Sequence, residues 1–164
     1  MRTPSDEQPR LRSSERSTYQ VLVEQLGPDD LVVPGQRVTD HLKDHEIDFV
    51  VAIEGAGIAC LEVKGGEVWH DGTGWRQLRG GRECDIEPVR QVREACYALR
   101  YFVEYDPRWT QGRVRWDHLV VFPHTEVPAD FELPECPRWK VIDRTDLPRL
   151  VDRLREGLIR QELD

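Results

Sequence analysis

Two neighbouring segments of this chain are almost wholly apolar, and this pattern constrains the fold more than any other feature of the sequence. The segments are 47–53 and 58–64, and the Glu-Gly-Ala-Gly stretch at 54–57 between them is a turn signal. A strand that is apolar on both faces is usually covered on both faces. We therefore predict an α/β fold in which these two strands lie inside a mixed β-sheet core flanked by helices.

Three ionisable residues interrupt these apolar strands: Asp48 in the first, and Glu62 and Lys64 in the second. Glu62 and Lys64 are two positions apart, so their side chains leave the same face of the sheet. Asp48 joins that face only if the turn holds an odd number of residues. The two glycines of the turn favour a three-residue turn with a glycine in the left-handed region, and we predict that register.

Charged side chains in a buried sheet are costly unless they meet a charged partner. Two carboxylates, Asp48 and Glu62, suit Mg²⁺ or Mn²⁺, and the backbone carbonyl of Val63 can add a ligand. Lys64 would orient or help to deprotonate an attacking water and would offset phosphate charge. This set predicts metal-dependent phosphodiester hydrolysis. The alternative is structural: Asp48 lies at a wet strand end, and Glu62 only pairs with Lys64.

Two further polar residues belong to predicted helices. Ser13 or Ser14 is predicted to cap a helix that runs to about Leu26, and Glu15 lies on its core-directed face with Leu22. Glu15 is thus a candidate third acidic group at the metal, or else a first-turn acid favoured by the helix dipole. In a second predicted helix, spanning about 85–105, the Gln91 amide can orient a water or a phosphate.

The remaining sequence predicts one domain with a short leading tail. The chain has 164 residues, enough for a sizeable core, and we expect a flexible tail at 1–12 and a single domain at 13–164. The other expected elements are a strand at 31–38 broken by Pro34-Gly35, a charged loop at 40–46, a hairpin at 68–78, a Gly/Arg loop at 79–84, strands at 114–122 and 139–142, and a final helix capped by Asp146.

Charge is unevenly distributed along the chain. The net charge of −8 weighs against a simple nucleic-acid-binding protein. Residues 76–115 nevertheless contain nine Arg against six Asp or Glu. We expect this segment to contact a nucleic-acid backbone. The candidate nucleic-acid-binding residues are Arg76, Arg79, Arg82 and Arg90.

Membrane insertion and secretion are not expected from this sequence. The longest uninterrupted apolar runs are about five residues, far short of a membrane-spanning helix. The first residues are polar and lack an apolar signal core. We therefore expect a cytoplasmic protein with no membrane partner.

The ordered set of these residues resembles a known family. Glu15, Glu-Ile-Asp-Phe-Val-Val at 46–51, Gly-Ile-Ala-Cys-Leu-Glu-Val-Lys-Gly at 57–65, Trp75 and Pro-Val-Arg-Gln at 88–91 look like the nuclease-related domain (NERD). That family belongs to the PD-(D/E)XK nuclease superfamily. The resemblance covers roughly residues 13–123.

The resemblance implies a restriction-endonuclease-like core and Mg²⁺-dependent cleavage of DNA rather than RNA. It implies Asp48 and Glu62 as metal ligands, Lys64 as the catalytic lysine, and Glu15 and Gln91 as accessory site residues. Members of the family are often fused to helicase, kinase or zinc-finger modules, so a helicase or other module in cis or in trans is an expected partner. This chain itself contains no phosphate-binding G-x-x-x-x-G-K-[ST] loop.

We therefore expect a deoxyribonuclease that acts in DNA processing, repair or phage defence. The alternative is a catalytically silent module with a nuclease fold that binds DNA or a partner protein. The sequence leaves open whether the substrate is single- or double-stranded, whether cutting is endo- or exonucleolytic, and which oligomeric state the protein adopts.

Overall fold

The computed structural model describes residues 11–161, and at its centre is a five-stranded mixed sheet. Residues 1–10, which form most of the expected tail at 1–12, lie outside the described residues, as do residues 162–164. The helices and strands are α1 (Ser13–Gln25), β1 (Leu31–Thr39), β2 (Asp44–Ile53), β3 (Gly57–Val63), β4 (Glu67–His70), β5 (Trp75–Arg79), β6 (Arg82–Ile86), α2 (Pro88–Glu104), β7 (Trp116–Phe122), β8 (Glu132–Leu133), β9 (Cys136–Pro137), β10 (Val141–Asp143) and α3 (Leu150–Arg160).

The central sheet has the strand order β1-β2-β3-β7-β10. Its first three strands are antiparallel neighbours, whereas β3, β7 and β10 run parallel. A parallel pair needs a crossover connection, and α2 lies in the connection from β3 to β7. The predicted α/β class, with a mixed sheet flanked by helices, is confirmed.

Both faces of the sheet are covered, as the apolar strands required. On one face α2 packs against β3 and β7 through Val92 and Cys96, over Cys60 and Val120. On the other face Leu22 of α1 and the leucines of α3 cover the opposite side chains of the same strands. Since each strand is apolar on both sides, β3 and β7 are buried at the centre.

The predicted register between the two central strands is confirmed. Phe49 lies opposite Leu61, Ile53 lies opposite Gly57, and the turn therefore contains three residues, 54–56. Gly55 supplies the left-handed conformation, with a φ of 75°. One further step along the same register sets Asp48 beside Glu62, on the face that α2 covers.

A small three-stranded antiparallel sheet, β4-β5-β6, stands beside the central one. The predicted hairpin corresponds to β4 and β5, which are joined by the turn at 71–74. The expected Gly/Arg loop at 79–84 is wrong, because only Gly80 and Gly81 form a turn there and Arg82 begins β6. Both glycines have positive φ, so this tight turn needs no longer loop.

The N-terminal half departs from expectation at three places. β1 is continuous through Pro34, because β1 is an edge strand and a proline there loses no ladder bond to a second neighbour. β2 begins at Asp44, so the charged loop is shorter than 40–46. The N-cap of α1 is Arg12 rather than a serine, because the helix begins at Ser13 and both serines lie inside it. Ser14 is buried in the first turn against Gly65.

The C-terminal region also differs from the prediction. Trp139 lies in a short 3₁₀ turn, and the strand starts only at Val141. Asp143, rather than Asp146, is the capping residue, because its carboxylate accepts hydrogen bonds from the backbone N–H groups of Thr145 and Asp146. A 3₁₀ segment follows that cap and leads into α3.

No helix within residues 11–161 is both long enough and apolar enough to cross a membrane.

Candidate functional site

A cleft of about 390 Å³ opens where β2 and β3 meet the start of α1 and the first turns of α2. Its walls include all six residues that the sequence assigned to catalysis or metal binding: Glu15, Asp48, Glu62, Val63, Lys64 and Gln91. Strand alternation brings Glu62 and Lys64 to one face, and the three-residue turn brings Asp48 to the same face. The expected residues therefore share one cleft.

Glu62 is the most deeply placed charged group of the cleft. Only 8% of the residue is exposed, and its Oε1 atom lies 3.2 Å from Lys64 Nζ. The pKa of Glu62 is raised to about 7, mainly by desolvation and also by the charge of the nearby Asp48 carboxylate, while Lys64 opposes both effects. The Lys64 ammonium therefore compensates only part of the cost of a buried charge at Glu62.

Asp48 is half-buried beside Glu62. Its Oδ2 atom accepts a hydrogen bond of 2.8 Å from the backbone N–H of Val63. Desolvation raises the pKa of Asp48 to about 6, although the Val63 hydrogen bond acts in the opposite direction. The charges of Glu15 and Glu46 also raise the pKa of Asp48. Both carboxylates thus lie in a field that favours a positive partner.

Glu15 and Gln91 lie at the rim of this cleft. Glu15 Oε2 accepts a weak hydrogen bond, 3.4 Å long, from the backbone N–H of Arg12, as an acidic residue in a first helical turn often does. Gln91 is exposed in the first turn of α2 and also lines a separate cleft of about 540 Å³ on the α2 side of Lys64. Both expected roles of Glu15, as an acidic group at the site and as a helix-terminus acid, therefore have a structural basis.

The donor set at the site is small. Within residues 11–161 no group of three or more His, Cys, Asp or Glu side chains is close enough to hold a metal ion. The available protein donors are the carboxylates of Asp48 and Glu62, together with backbone oxygen. Mg²⁺ is commonly held by one or two carboxylates and keeps several waters, so this pair suits Mg²⁺ better than it suits Zn²⁺.

The four arginines expected to contact DNA differ in their surroundings. Arg76 forms ion pairs with Glu83, at 2.9 Å, and with Asp85, and Arg90 pairs with Glu87. Arg79 and Arg82 are exposed and form no ion pair within the described part of the chain. Two of the four guanidinium groups therefore already have acidic partners.

Six residues that line the cleft were not identified from the sequence as site residues: Arg12, Lys43, Asp44, His45, Glu46 and Ala95. Glu46 was assigned to a loop, but it lies in β2 two positions before Asp48, and this spacing in a longer strand would have placed it on the same face. Arg12 and Lys43 also line the cleft. No local pattern distinguishes these two residues, because packing between distant segments brings them there.

Comparison with known proteins gives one family. The family model described as nuclease-related domain (NERD) matches residues 11–123, more than half of the chain, and this range includes the whole cleft. Among curated proteins, none matches the chain. Residues 124–161, with β10 and α3, lie beyond the matched range. The chain therefore belongs to the nuclease-related domain family.

Proposed function

We propose that this protein is a deoxyribonuclease that hydrolyses phosphodiester bonds and depends on Mg²⁺ or Mn²⁺. The observation that carries the proposal is the convergence of Asp48, Glu62 and Lys64 in one cleft. Two acids of raised pKa beside an ammonium group are a chemical set suited to phosphate rather than to acyl or redox chemistry. Family membership favours DNA as the substrate, in processing, repair or phage defence.

The charge of the cleft supports dependence on a divalent cation. Five carboxylates line it, against the three cations Arg12, Lys43 and Lys64. A DNA phosphate would be repelled from such a surface unless a cation entered with it. A divalent ion would relieve the carboxylate repulsion and attract the phosphate at the same place.

Each residue then has a distinct role. Asp48 and Glu62 would hold the ion, with the backbone oxygen of Val63 beside them. When bound, the ion supplies Lewis-acid activation of the phosphodiester and of water. Lys64, held by Glu62 at 3.2 Å, would donate a hydrogen bond to the phosphate and stabilise its developing negative charge. The amide of Gln91 would orient the water or the phosphate from the α2 side.

A cleavage assay tests this function. Plasmid and oligonucleotide DNA are incubated with the full chain in Mg²⁺, in Mn²⁺ or in chelator, and product is measured over time. We expect cleavage only with a divalent ion, and a loss of about 100-fold or more in rate for Asp48→Ala and for Lys64→Ala.

Asp130→Ala is the matched control, because Asp130 is an exposed acid outside the cleft. Circular dichroism of every variant checks that the fold is retained. Cleavage by Asp48→Ala and Lys64→Ala at the rate of the control would remove both residues from the mechanism. Cleavage that is undiminished in chelator would show that the reaction does not require a divalent metal ion.

A second candidate function is a catalytically silent module that binds DNA or a partner protein. One observation favours it: a groove of about 1110 Å³ beside the cleft exposes Tyr97, Tyr101, Phe102 and Tyr105. Exposed apolar patches of this kind often mark interaction surfaces. Calorimetric titration with Mn²⁺ separates the two functions, because DNA binding without any metal binding would favour the silent module.

A further inference from the structure

A second, smaller cleft lies directly beside the first, on the other side of Lys64. It measures about 130 Å³, and its walls include Arg12, Lys64, Arg79 and His124. No Asp or Glu lines this cleft within the described residues, whereas five carboxylates line the neighbouring one. The two clefts share Arg12, Val63 and Lys64, so they form one continuous surface with an acidic half and a basic half.

The two arginines of the small cleft have no acidic partner in the described part of the chain. Neither Arg12 nor Arg79 forms an ion pair with any residue in the range 11–161. This distinguishes Arg79 from Arg76 and Arg90, whose guanidinium groups are held by acidic neighbours. In a protein with a net charge of −8, these two arginines beside Lys64 form a local concentration of positive charge.

His124 adds a hydrogen-bond donor to this cleft. Its Nδ1 atom accepts a hydrogen bond of 2.9 Å from the backbone N–H of Gly66. The ring nitrogen that is left to donate is therefore Nε2. An N–H group of this kind can donate a hydrogen bond to a phosphate oxygen.

The floor of the cleft is held by two side-chain hydrogen bonds and by close packing against α1. Gln77 Nε2 donates to the carbonyl of Gly65 at 2.7 Å, and Thr125 Oγ1 donates to the carbonyl of Gly66 at 3.1 Å. A methyl group on Gly65 would lie 2.7 Å from Ser14 Cβ, so the backbone reaches α1 only because this position is glycine. The cations therefore surround a space that is already formed.

We propose that this small cleft binds a second phosphate of the substrate strand, next to the phosphate that is hydrolysed. The inference rests on the proposed nuclease function and adds a requirement to it. Arg12, Arg79 and His124 would hold the neighbouring phosphate, while Lys64, at the boundary, contacts the scissile one. Recognition is through backbone phosphate and not through bases, so the preferred minimal substrate carries two adjacent phosphate groups.

Minimal substrates test this requirement. The rate of cleavage in Mn²⁺ is measured for a dinucleotide with one internal phosphate, and for the same dinucleotide with an added 5′- or 3′-terminal phosphate. We expect one of the two phosphorylated forms to be cleaved about tenfold faster or more, which corresponds to about 1.4 kcal/mol. Arg79→Ala is expected to reduce that advantage by a similar factor. Arg160→Ala, which removes an exposed arginine of α3 outside both clefts and outside the segment 76–115, is expected to preserve it.

A second measurement does not depend on catalysis. Inorganic phosphate is added to the ¹⁵N-labelled full chain, and amide chemical shifts are followed by NMR. We expect saturable shifts at Ser14, Gly65 and Gly66 in the wild type and in Arg160→Ala, and their loss in Arg79→Ala and Arg12→Ala. The same spectra show whether each variant is folded.

The outcomes separate this proposal from the nuclease function. If plasmid DNA is cleaved but the dinucleotides react equally, and phosphate shifts none of these amides, the phosphate site is wrong and the nuclease function stands. If no DNA is cleaved but the Arg79-dependent shifts are present, the phosphate site stands and the nuclease function fails. Absence of the shifts in a folded wild type overturns the site in either case.

Discussion

At the scale of single residues, the central observation is that the negative charges of Asp48 and Glu62 lower the folding stability of the protein. Burial raises the pKa of Asp48 from 3.8 to about 6 and that of Glu62 from 4.5 to about 7. A carboxyl whose pKa is higher in the folded state binds its proton more tightly there. Deprotonation therefore destabilises the fold, and stability falls as the pH rises from about 4 to about 7.

Replacing Asp48 by asparagine tests this directly. The amide oxygen can still accept the Val63 hydrogen bond, but it carries no charge. In chelator at pH 8, we expect Asp48→Asn to increase the free energy of unfolding by roughly 1–3 kcal/mol. The gain should shrink as the pH falls below about 6 and disappear by about pH 3, where the wild-type carboxyl is protonated in both states. Urea unfolding across this pH range measures the effect.

The exposed Asp130 provides the comparison for this prediction. Asp130→Asn removes the same charge outside the cleft and should change the free energy of unfolding by less than about 0.5 kcal/mol. Equal stabilities of wild type and Asp48→Asn at pH 8 would contradict the costly burial of Asp48. The prediction also explains how a metal would stabilise the protein, because neutralising the same carboxylates removes the same cost.

At the scale of elements, the turn after β3 connects the site to α1 and to the small sheet. Gly66 has a φ of 71°, and a methyl group there would lie 2.3 Å from the carbonyl oxygen of Leu78. Gly65 lies against Ser14 in the first turn of α1. These two glycines let β3, β5 and α1 approach closely, and that approach forms the walls of the smaller cleft.

Gly65→Ala is therefore expected to disturb the site through packing alone. The added methyl group would force α1 or the turn to shift, at a cost of about 1–3 kcal/mol in unfolding free energy. Gly74→Ala is the control, because a methyl group at Gly74 meets nothing within 4 Å. Thermal unfolding compares the two variants, and a similar melting temperature for both would argue against the close contact with Ser14.

The expectations were most accurate where structure depends on local spacing. The register of β2 and β3 followed from the alternation of side chains and from a glycine turn. The predicted serine cap of α1 was wrong, because the helix begins one residue earlier and both serines lie inside it, with Ser14 packed against a residue fifty-one positions away. Asp143 was missed as a cap for a related reason. β10 pairs with β7 and ends at Asp143, three residues before Asp146, so the capping position lies earlier than the sequence indicated.

At the scale of the whole molecule, the region beyond residue 123 completes the fold even though the family match ends there. β10 extends the central sheet, and Leu150, Leu154 and Leu158 of α3 are fully buried on it. Lys140 lies 3.1 Å from Asp117, which is itself only 1% exposed. Apolar packing and a buried ion pair therefore join this region to the matched part.

Leu154→Ala tests the contribution of this region. Because Leu154 is fully buried, the cavity is expected to cost about 2–5 kcal/mol in unfolding free energy. Ile159→Ala removes a similar volume from a residue that is 59% exposed, and should cost less than about 0.5 kcal/mol. If chemical denaturation gave equal stabilities for the two variants, α3 would not be part of the cooperative core.

The sequence by itself determined the central strands, the face shared by Asp48, Glu62 and Lys64, and the family, because strand alternation and turn geometry act over a few neighbouring residues. Only the tertiary structure decided which arginines have no acidic partner among the described residues and can therefore contact a phosphate. Arg76 and Arg90 are held by nearby acids, while Arg12 and Arg79 come together from α1 and β5 beside Lys64. The reason is physical: an ion pair or a cleft depends on distances across the folded chain, and those distances are set by how helices and sheets pack.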